Sequence, residues 1–98
     1  MSTSEKTWWL YLLDCRGGRL YAGIALDVEA RFELHVSGKG AKFTRANPPR
    51  RMLAAQSFPS RSAALKAEYA LKQLDRAAKL AWVGEITSPA GRGRAKRG

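Results

Sequence analysis

Five side chains stand out for where they fall in the chain. Arg31 and His35 lie one helical turn apart in VEARFELHV. At about 100° per residue both fall between Leu34 and Val28, beside an apolar arc that includes Phe32 and Val36. Glu29 and Glu33 fall on the side left for water. Glu68 repeats the pattern in SRSAALKAEYALKQL. There Ala64, Ala67, Leu71 and Leu74 form an apolar stripe, and Glu68 falls between Ala64 and Leu65. A carboxylate in that position is costly unless a cation, a metal ion or a set of donors compensates. It could ion-pair with Arg31 or hold a metal. Arg31 could also reach to the edge of the core along its aliphatic stem, and His35 could be a hydrogen-bonded core histidine. Tyr11 and Tyr21 complete the set, each on an apolar run. A cross-strand aromatic pair is commonly packing.

The elements that must carry these residues follow from pattern and punctuation. Residues 8–13, WWLYLL, and 19–24, RLYAGI, read as strands. The intervening DCRGG reads as the turn of a β-hairpin, because Gly17 and Gly18 accept positive φ. That hairpin should set Tyr11 and Tyr21 close to opposite one another, with Gly23 allowing another group near the backbone. Asp27 can cap a helix over 28–37 that Gly38 terminates. SGKGAKFTRANPP reads as a loop of small residues, cations and two prolines. Residues 51–58, RMLAAQSF, form a third strand. Ser60 or Ser62 caps a long helix to about residue 75, and DRAAKLAWVG gives one more short helix. The expected order is β-β-α-β-α-α, a small α/β domain with a three-stranded antiparallel or mixed sheet flanked by helices.

Charge narrows the partners. Among 98 residues, 18 Lys and Arg oppose 8 Asp and Glu, for a net +10. Arg92, Arg94, Lys96 and Arg97 belong to the tail SPAGRGRAKRG, which has no apolar content to bury and should be a basic disordered arm over 88–98. Residues 1–91 still hold 14 basic against 8 acidic residues, or +6. The folded part, 8–87, behind a flexible stretch over 1–7, is therefore basic in its own right and suits a polyanion, nucleic acid before others. Solubility and an anionic membrane surface are the plainer alternatives. With one cysteine, Cys15, and one histidine, no intramolecular disulfide and no self-contained zinc site can form. The apolar start is short, is interrupted by Asp14 and lacks signal-peptide features, so a soluble cytoplasmic protein is expected. The GKG at 38–40 is no phosphate-binding Walker loop, since the upstream Gly and the following Ser or Thr are missing.

Taken together these residues resemble the GIY-YIG nuclease family. Trp9-Leu10-Tyr11 and Tyr21-Ala22-Gly23 stand where that family carries its two name motifs, with the tyrosines ten residues apart. Arg31 and His35 match its helix arginine and the histidine one turn on, and Glu68 matches its later glutamate. SGKGAKFTRANPP and SRSAALKAEYALKQL are similar to stretches of the small single-domain bacterial branch. The likeness spans residues 8 to about 82. Trp9 replaces the first Gly, Ala22 replaces Ile, and the Asn that some members carry after the glutamate has no counterpart.

The resemblance implies a nuclease that hydrolyses phosphodiester bonds with one divalent metal, Mg²⁺ or Mn²⁺, held at Glu68. It implies that Arg31 holds the scissile phosphate and Tyr11 is the general base. Tyr21 and His35 would orient Tyr11 or relay its proton, and Arg31, Lys42 and the metal would favour the phenolate. Lys39, Lys42, Thr44, Arg45 and Gly23 would contact the strand, with Arg92, Arg94, Lys96 and Arg97 adding salt-sensitive affinity. The expected partner is DNA, structured or single-stranded, in repair or recombination, with RNA left open. No membrane and no small-molecule cofactor is expected, and the protein should be a monomer or weak dimer, nucleoid-associated when on DNA. Two readings stay open: this endonuclease, and a nucleic-acid-binding module of the same fold with weak catalysis.

Overall fold

The hairpin forms as its turn chemistry demands. The computed structural model describes residues 7–87. The tail cations Arg92, Arg94, Lys96 and Arg97 and the first six residues lie outside the described residues. Strand β1 (Trp8–Cys15) runs into a 3-10 turn (Arg16–Gly18) and returns as β2 (Arg19–Ala25). Gly17 and Gly18 both take φ near +75°, at 76° and 75°, a region open to glycine at no steric cost. A third strand, β3 (Pro49–Phe58), pairs with the other edge of β1, giving the order β2-β1-β3. Both pairings are antiparallel, so the sheet is not mixed. β3 begins two residues earlier than the apolar run indicates, at Pro49. A proline is tolerated at the first position of an edge strand because no ladder donor is needed there.

The central place of β1 explains its apolar run from Trp8 to Leu13, since both faces of a central strand are covered. Leu10 and Leu12 join Ala22 and Leu71 in one buried cluster, with Ala67, Trp82 and Val83 against it. Tyr11, Leu13 and Cys15 join Ala25 in a second cluster, with Val28, Phe32 and Tyr21 against it. The first cluster takes residues of α3 (Arg61–Lys72) and α4 (Arg76–Thr87), the second those of α1 (Val28–Val36). Ser60 caps α3 by accepting from the Ala63 amide at 3.1 Å, and Asp75 caps α4 from Ala78 at 2.8 Å. Each such cap contributes about 1 kcal/mol. With its own cap, α4 runs 12 residues rather than one short segment.

α1 sets the geometry of everything that follows. Asp27 Oδ1 accepts from the Ala30 amide at 3.0 Å at its start. At its end Gly38 takes φ +84°, the Gly38 amide bonds the His35 carbonyl at 3.2 Å, and the Lys39 amide bonds the Leu34 carbonyl at 2.9 Å. This paired closure is the Schellman turn. It stops the helix just past His35 and sends the chain back over that residue. The returning segment holds a helix, α2 (Lys42–Ala46), where the sequence reads as loop. Val28, Phe32 and His35 face the sheet, whereas Leu34 and Val36 are exposed. Val36, the last helical residue, stays exposed, and His35 holds the core position.

Candidate active site

Tyr11 projects from β1 towards α1 and is 2% exposed. The ladder pairs Tyr11 with Gly23, and Tyr21 with Leu13. The two tyrosines are thus on one face but not opposite each other, as the hairpin reading has them. A side chain at position 23 has no room: an added Cβ would stand 2.4 Å from Tyr11 Oη and 2.7 Å from Cζ. The group that approaches Gly23 is Tyr11 itself. Its expected role as a nucleic-acid contact is corrected accordingly, because Gly23 is buried beneath the ring.

His35 is 2% exposed and hydrogen-bonded at both ring nitrogens. Nε2 lies 3.0 Å from Tyr11 Oη, and Nδ1 lies 2.7 Å from Thr44 Oγ1. The Thr44 hydroxyl stands 2.9 Å from the Ala41 carbonyl. Burial first, and the Arg31 charge second, hold the His35 pKa below the ordinary 6.5, which favours the neutral ring. A Cβ at Gly40 would sit 2.2 Å from His35 Nδ1. Gly40 is therefore needed for the ring to lie under the returning chain. The sequence offers GKG as a loop signal and gives no hint that one of its glycines faces a histidine. Thr44, expected on the nucleic-acid backbone, is 1% exposed and is corrected to a buried partner of His35. As the one inward residue of α2, it cannot reach a strand.

Burial also decides the state of Tyr11. It pushes the phenol pKa up to about 12, helped by Tyr21 and Glu68, against the lowering pull of the Arg31 charge. The expectation that neighbouring cations favour the phenolate is not met in the protein alone. Arg31 works in that direction, burial outweighs it, and Lys42 is not among the groups that act on Tyr11.

Above this buried row lies an open pocket of about 280 Å³ lined by Tyr21, Arg31, Leu34, His35, Lys39, Gly40 and Ala41. Tyr21 meets the His35 ring edge-on at 5.2 Å between centroids and stacks on Phe43 at 5.6 Å with 22° between planes. Phe43 is 38% exposed; as part of a segment that reads as loop, it gives no signal in the sequence. Arg31, Lys39, Lys42 and Arg45 are exposed, so Arg31 and Lys39 offer positive charge at the pocket while Lys42 and Arg45 sit on the adjoining α2.

Glu68 reaches the same region from α3, near enough to Tyr11 for its charge to raise the phenol pKa. Its side chain is 17% exposed, and its nearest ion-pair partner is Lys72 at 3.2 Å, one turn on. The pairing with Arg31 weighed from the sequence is not formed. No group of three or more His, Cys, Asp and Glu gathers among the described residues. A lone, half-buried carboxylate still fits Mg²⁺ or Mn²⁺, which take one or two carboxylates plus water and phosphate oxygens. It would not satisfy zinc. Among the described residues no helix is long and apolar enough to cross a membrane.

Comparison with known proteins agrees with this fold. Residues 7–81 match the GIY-YIG catalytic domain. A UPF0213 protein of Xanthomonas axonopodis pv. citri is 58% identical over 78 residues, covering 80% of this chain and 76% of that protein. A UPF0213 protein of Cupriavidus pinatubonensis is 49% identical over 85 residues, covering 87% of this chain and 94% of its own. The solution NMR structure of a UPF0213 protein from Bacillus halodurans superposes with a TM-score of 0.54 at 38% identity, covering 89% of this chain and 93% of that one.

Proposed function

The chain belongs to the GIY-YIG family of nuclease domains, and from that premise we propose that it is a divalent-metal-dependent endonuclease. Its substrate is nucleic acid, DNA in the first place, with branched or single-stranded DNA of repair or recombination as the fitting class. The observation that carries this reading is the 3.0 Å contact between Tyr11 Oη and Nε2 of the buried His35, set beneath a pocket rimmed by Arg31. A binding module needs cations; it has no need of a buried acid–base pair.

Hydrolysis then runs through this chain's own groups. Arg31 holds the scissile phosphate by charge-assisted hydrogen bonds and offsets the negative charge that grows on it. Water attacks phosphorus, and the P–O bond to the leaving oxygen breaks. The proton lost by water goes to Tyr11 Oη as Tyr11 passes its own to His35 Nε2, so free phenolate never accumulates. The leaving oxygen takes a proton from solvent. Glu68 would hold the Mg²⁺ or Mn²⁺, which when bound supplies positive charge to the phosphate oxygens. Lys39, Lys42 and Arg45 bind the flanking backbone.

The weakly catalytic binding module has one observation on its side, the hold of Lys72 on Glu68. A cleavage assay in Mg²⁺ on duplex, single-stranded, flap and forked DNA, with matching RNA, separates the two. The endonuclease reading expects cutting by wild type and loss of at least about 100-fold in Glu68→Ala and Tyr11→Phe. Binding of every substrate without cutting sinks it.

A further inference from the structure

The direction of the hydrogen bonds around His35 decides whether it can take a proton from Tyr11 at all. A neutral imidazole carries one N–H and a threonine one O–H, so each must choose between two neighbours. Suppose the Thr44 hydrogen points at Nδ1. Thr44 Oγ1 and the Ala41 carbonyl oxygen, 2.9 Å apart, then face each other as two acceptors. In that arrangement Nε2 carries the hydrogen and donates to Tyr11, which leaves it unable to accept.

The opposite sense makes all three contacts. Nδ1–H donates to Thr44 Oγ1 at 2.7 Å, Thr44 donates to the Ala41 carbonyl, and a bare Nε2 accepts from Tyr11 at 3.0 Å. The Ala41 carbonyl is itself fixed, since the first turn of α2 ties it to the Thr44 and Arg45 amides at 3.1 Å each. Three buried side chains are thereby oriented from one backbone oxygen. We infer that Thr44 is a positioning residue that sets the tautomer of His35, so that Nε2 faces Tyr11 unprotonated. Thr44 acts through the histidine and never touches substrate. Its use in catalysis rests on the proton path proposed above, whereas the tautomer is a property of the protein alone.

His35 is the only histidine in the chain, which makes the test direct. Histidine-selective ¹⁵N labelling and NMR at pH 7.5 on the full chain reads the two ring nitrogens without assignment by mutation. The expected result is a protonated Nδ1 and a bare Nε2. Thr44→Val removes the hydroxyl at constant volume and is expected to populate the Nε2–H form. Cleavage should then fall about 10- to 100-fold in kcat with KM little changed, by analogy with the loss of the second partner of a metal-bound histidine. Thr44→Ser should restore the tautomer and most of the rate. An Nε2–H tautomer in wild type overturns the inference whatever the variants do, and so does a Thr44→Val protein with the wild-type ¹⁵N signature. A wild type that has the expected tautomer and cuts no nucleic acid supports the role of Thr44 in the tautomer and overturns the nuclease reading.

Discussion

Tyr11 lies over Gly23 so closely that a methyl group there would meet its phenol oxygen at 2.4 Å. The ring cannot move aside freely, because it is packed in the second buried cluster and its hydroxyl is bonded to His35. Gly23→Ala is therefore expected to destabilise by about 1–3 kcal/mol, as overpacking does, and to misplace the hydroxyl. Tyr11→Phe does not relieve the clash, since Cζ is also 2.7 Å away, whereas Tyr11→Ala does. Denaturant unfolding of the double-mutant cycle checks this. Gly23→Ala should cost clearly less in the Tyr11→Ala background, and an equal cost in both would show that the tyrosine is not what excludes a side chain.

Gly40 stands to His35 as Gly23 does to Tyr11, with an added Cβ 2.2 Å from Nδ1. Gly40→Ala should break the contact with Thr44 before it harms the rest of the fold. Cleavage should fall at least about 10-fold, with far-UV circular dichroism unchanged. Wild-type activity in this variant would mean that the ring has freedom which its 2% exposure denies.

The pKa shifts give the pH–rate profile a defined shape. His35 must be unprotonated to accept, and its pKa is held below 6.5 by burial and then by Arg31. The acid limb of kcat/KM should therefore lie below pH 6.5. Tyr11, with its pKa near 12, is phenol throughout the neutral range. With His35 as the ultimate acceptor the profile is flat from pH 7 to 9. A phenolate base would instead make it climb about tenfold per pH unit there. Steady-state rates on one fixed oligonucleotide distinguish the two.

Stability should follow the same groups. For His35 the folded pKa is the lower one, so below pH 6.5 the unfolded chain binds the proton more readily and stability falls as pH drops. For Tyr11 the folded pKa is raised, so stability is lost as pH climbs from about 10 to about 12. Urea midpoints across pH 5 to 8 for wild type and His35→Gln read the first effect. A wild-type midpoint that stays level down to pH 5 speaks against a depressed His35.

Lys72 competes for the carboxylate that would hold the metal. The pair is half open to solvent on the lysine side, with 49% of that side chain exposed, so its hold is weak. Lys72→Met is expected to tighten Mn²⁺ binding by about 2- to 5-fold, from the usual worth of such pairs. Electron paramagnetic resonance of free Mn²⁺ measures it, and Glu68→Gln should abolish the high-affinity phase. Unchanged Mn²⁺ affinity in both variants would place the metal elsewhere.

Much of this site is legible in the sequence, and what is hidden has a common cause. The hairpin, three strands and the capped helices follow from apolar runs and punctuation, and the fold class is as expected. Arg31, His35 and Glu68 show themselves as polar groups beside apolar stripes, although Arg31 proves exposed. Thr44 is misread because a threonine among Lys42 and Arg45 looks like part of a basic surface. A five-residue helix with no side-chain cap gives no periodicity from which to see it turn inward. Gly23 and Gly40 are legible as permissive residues but not as spaces, since the space belongs to a side chain elsewhere in the chain. The partner of Glu68 is missed because its own helix supplies it, one turn along, while attention falls on the more distant Arg31.

The Schellman turn after His35 also orders events in time. By folding the chain back at once, it lets the proposed proton path of Tyr11 and His35, with Thr44 behind it and Gly23 and Gly40 making room, come from the first half of the chain. Glu68 comes later, on α3. During synthesis, the half proposed to handle protons leaves the ribosome before the half that would hold the cation. A chain ending at β3 would carry the residues of that path but would lack Glu68, along with the α3 and α4 side chains that cover the other face of the sheet.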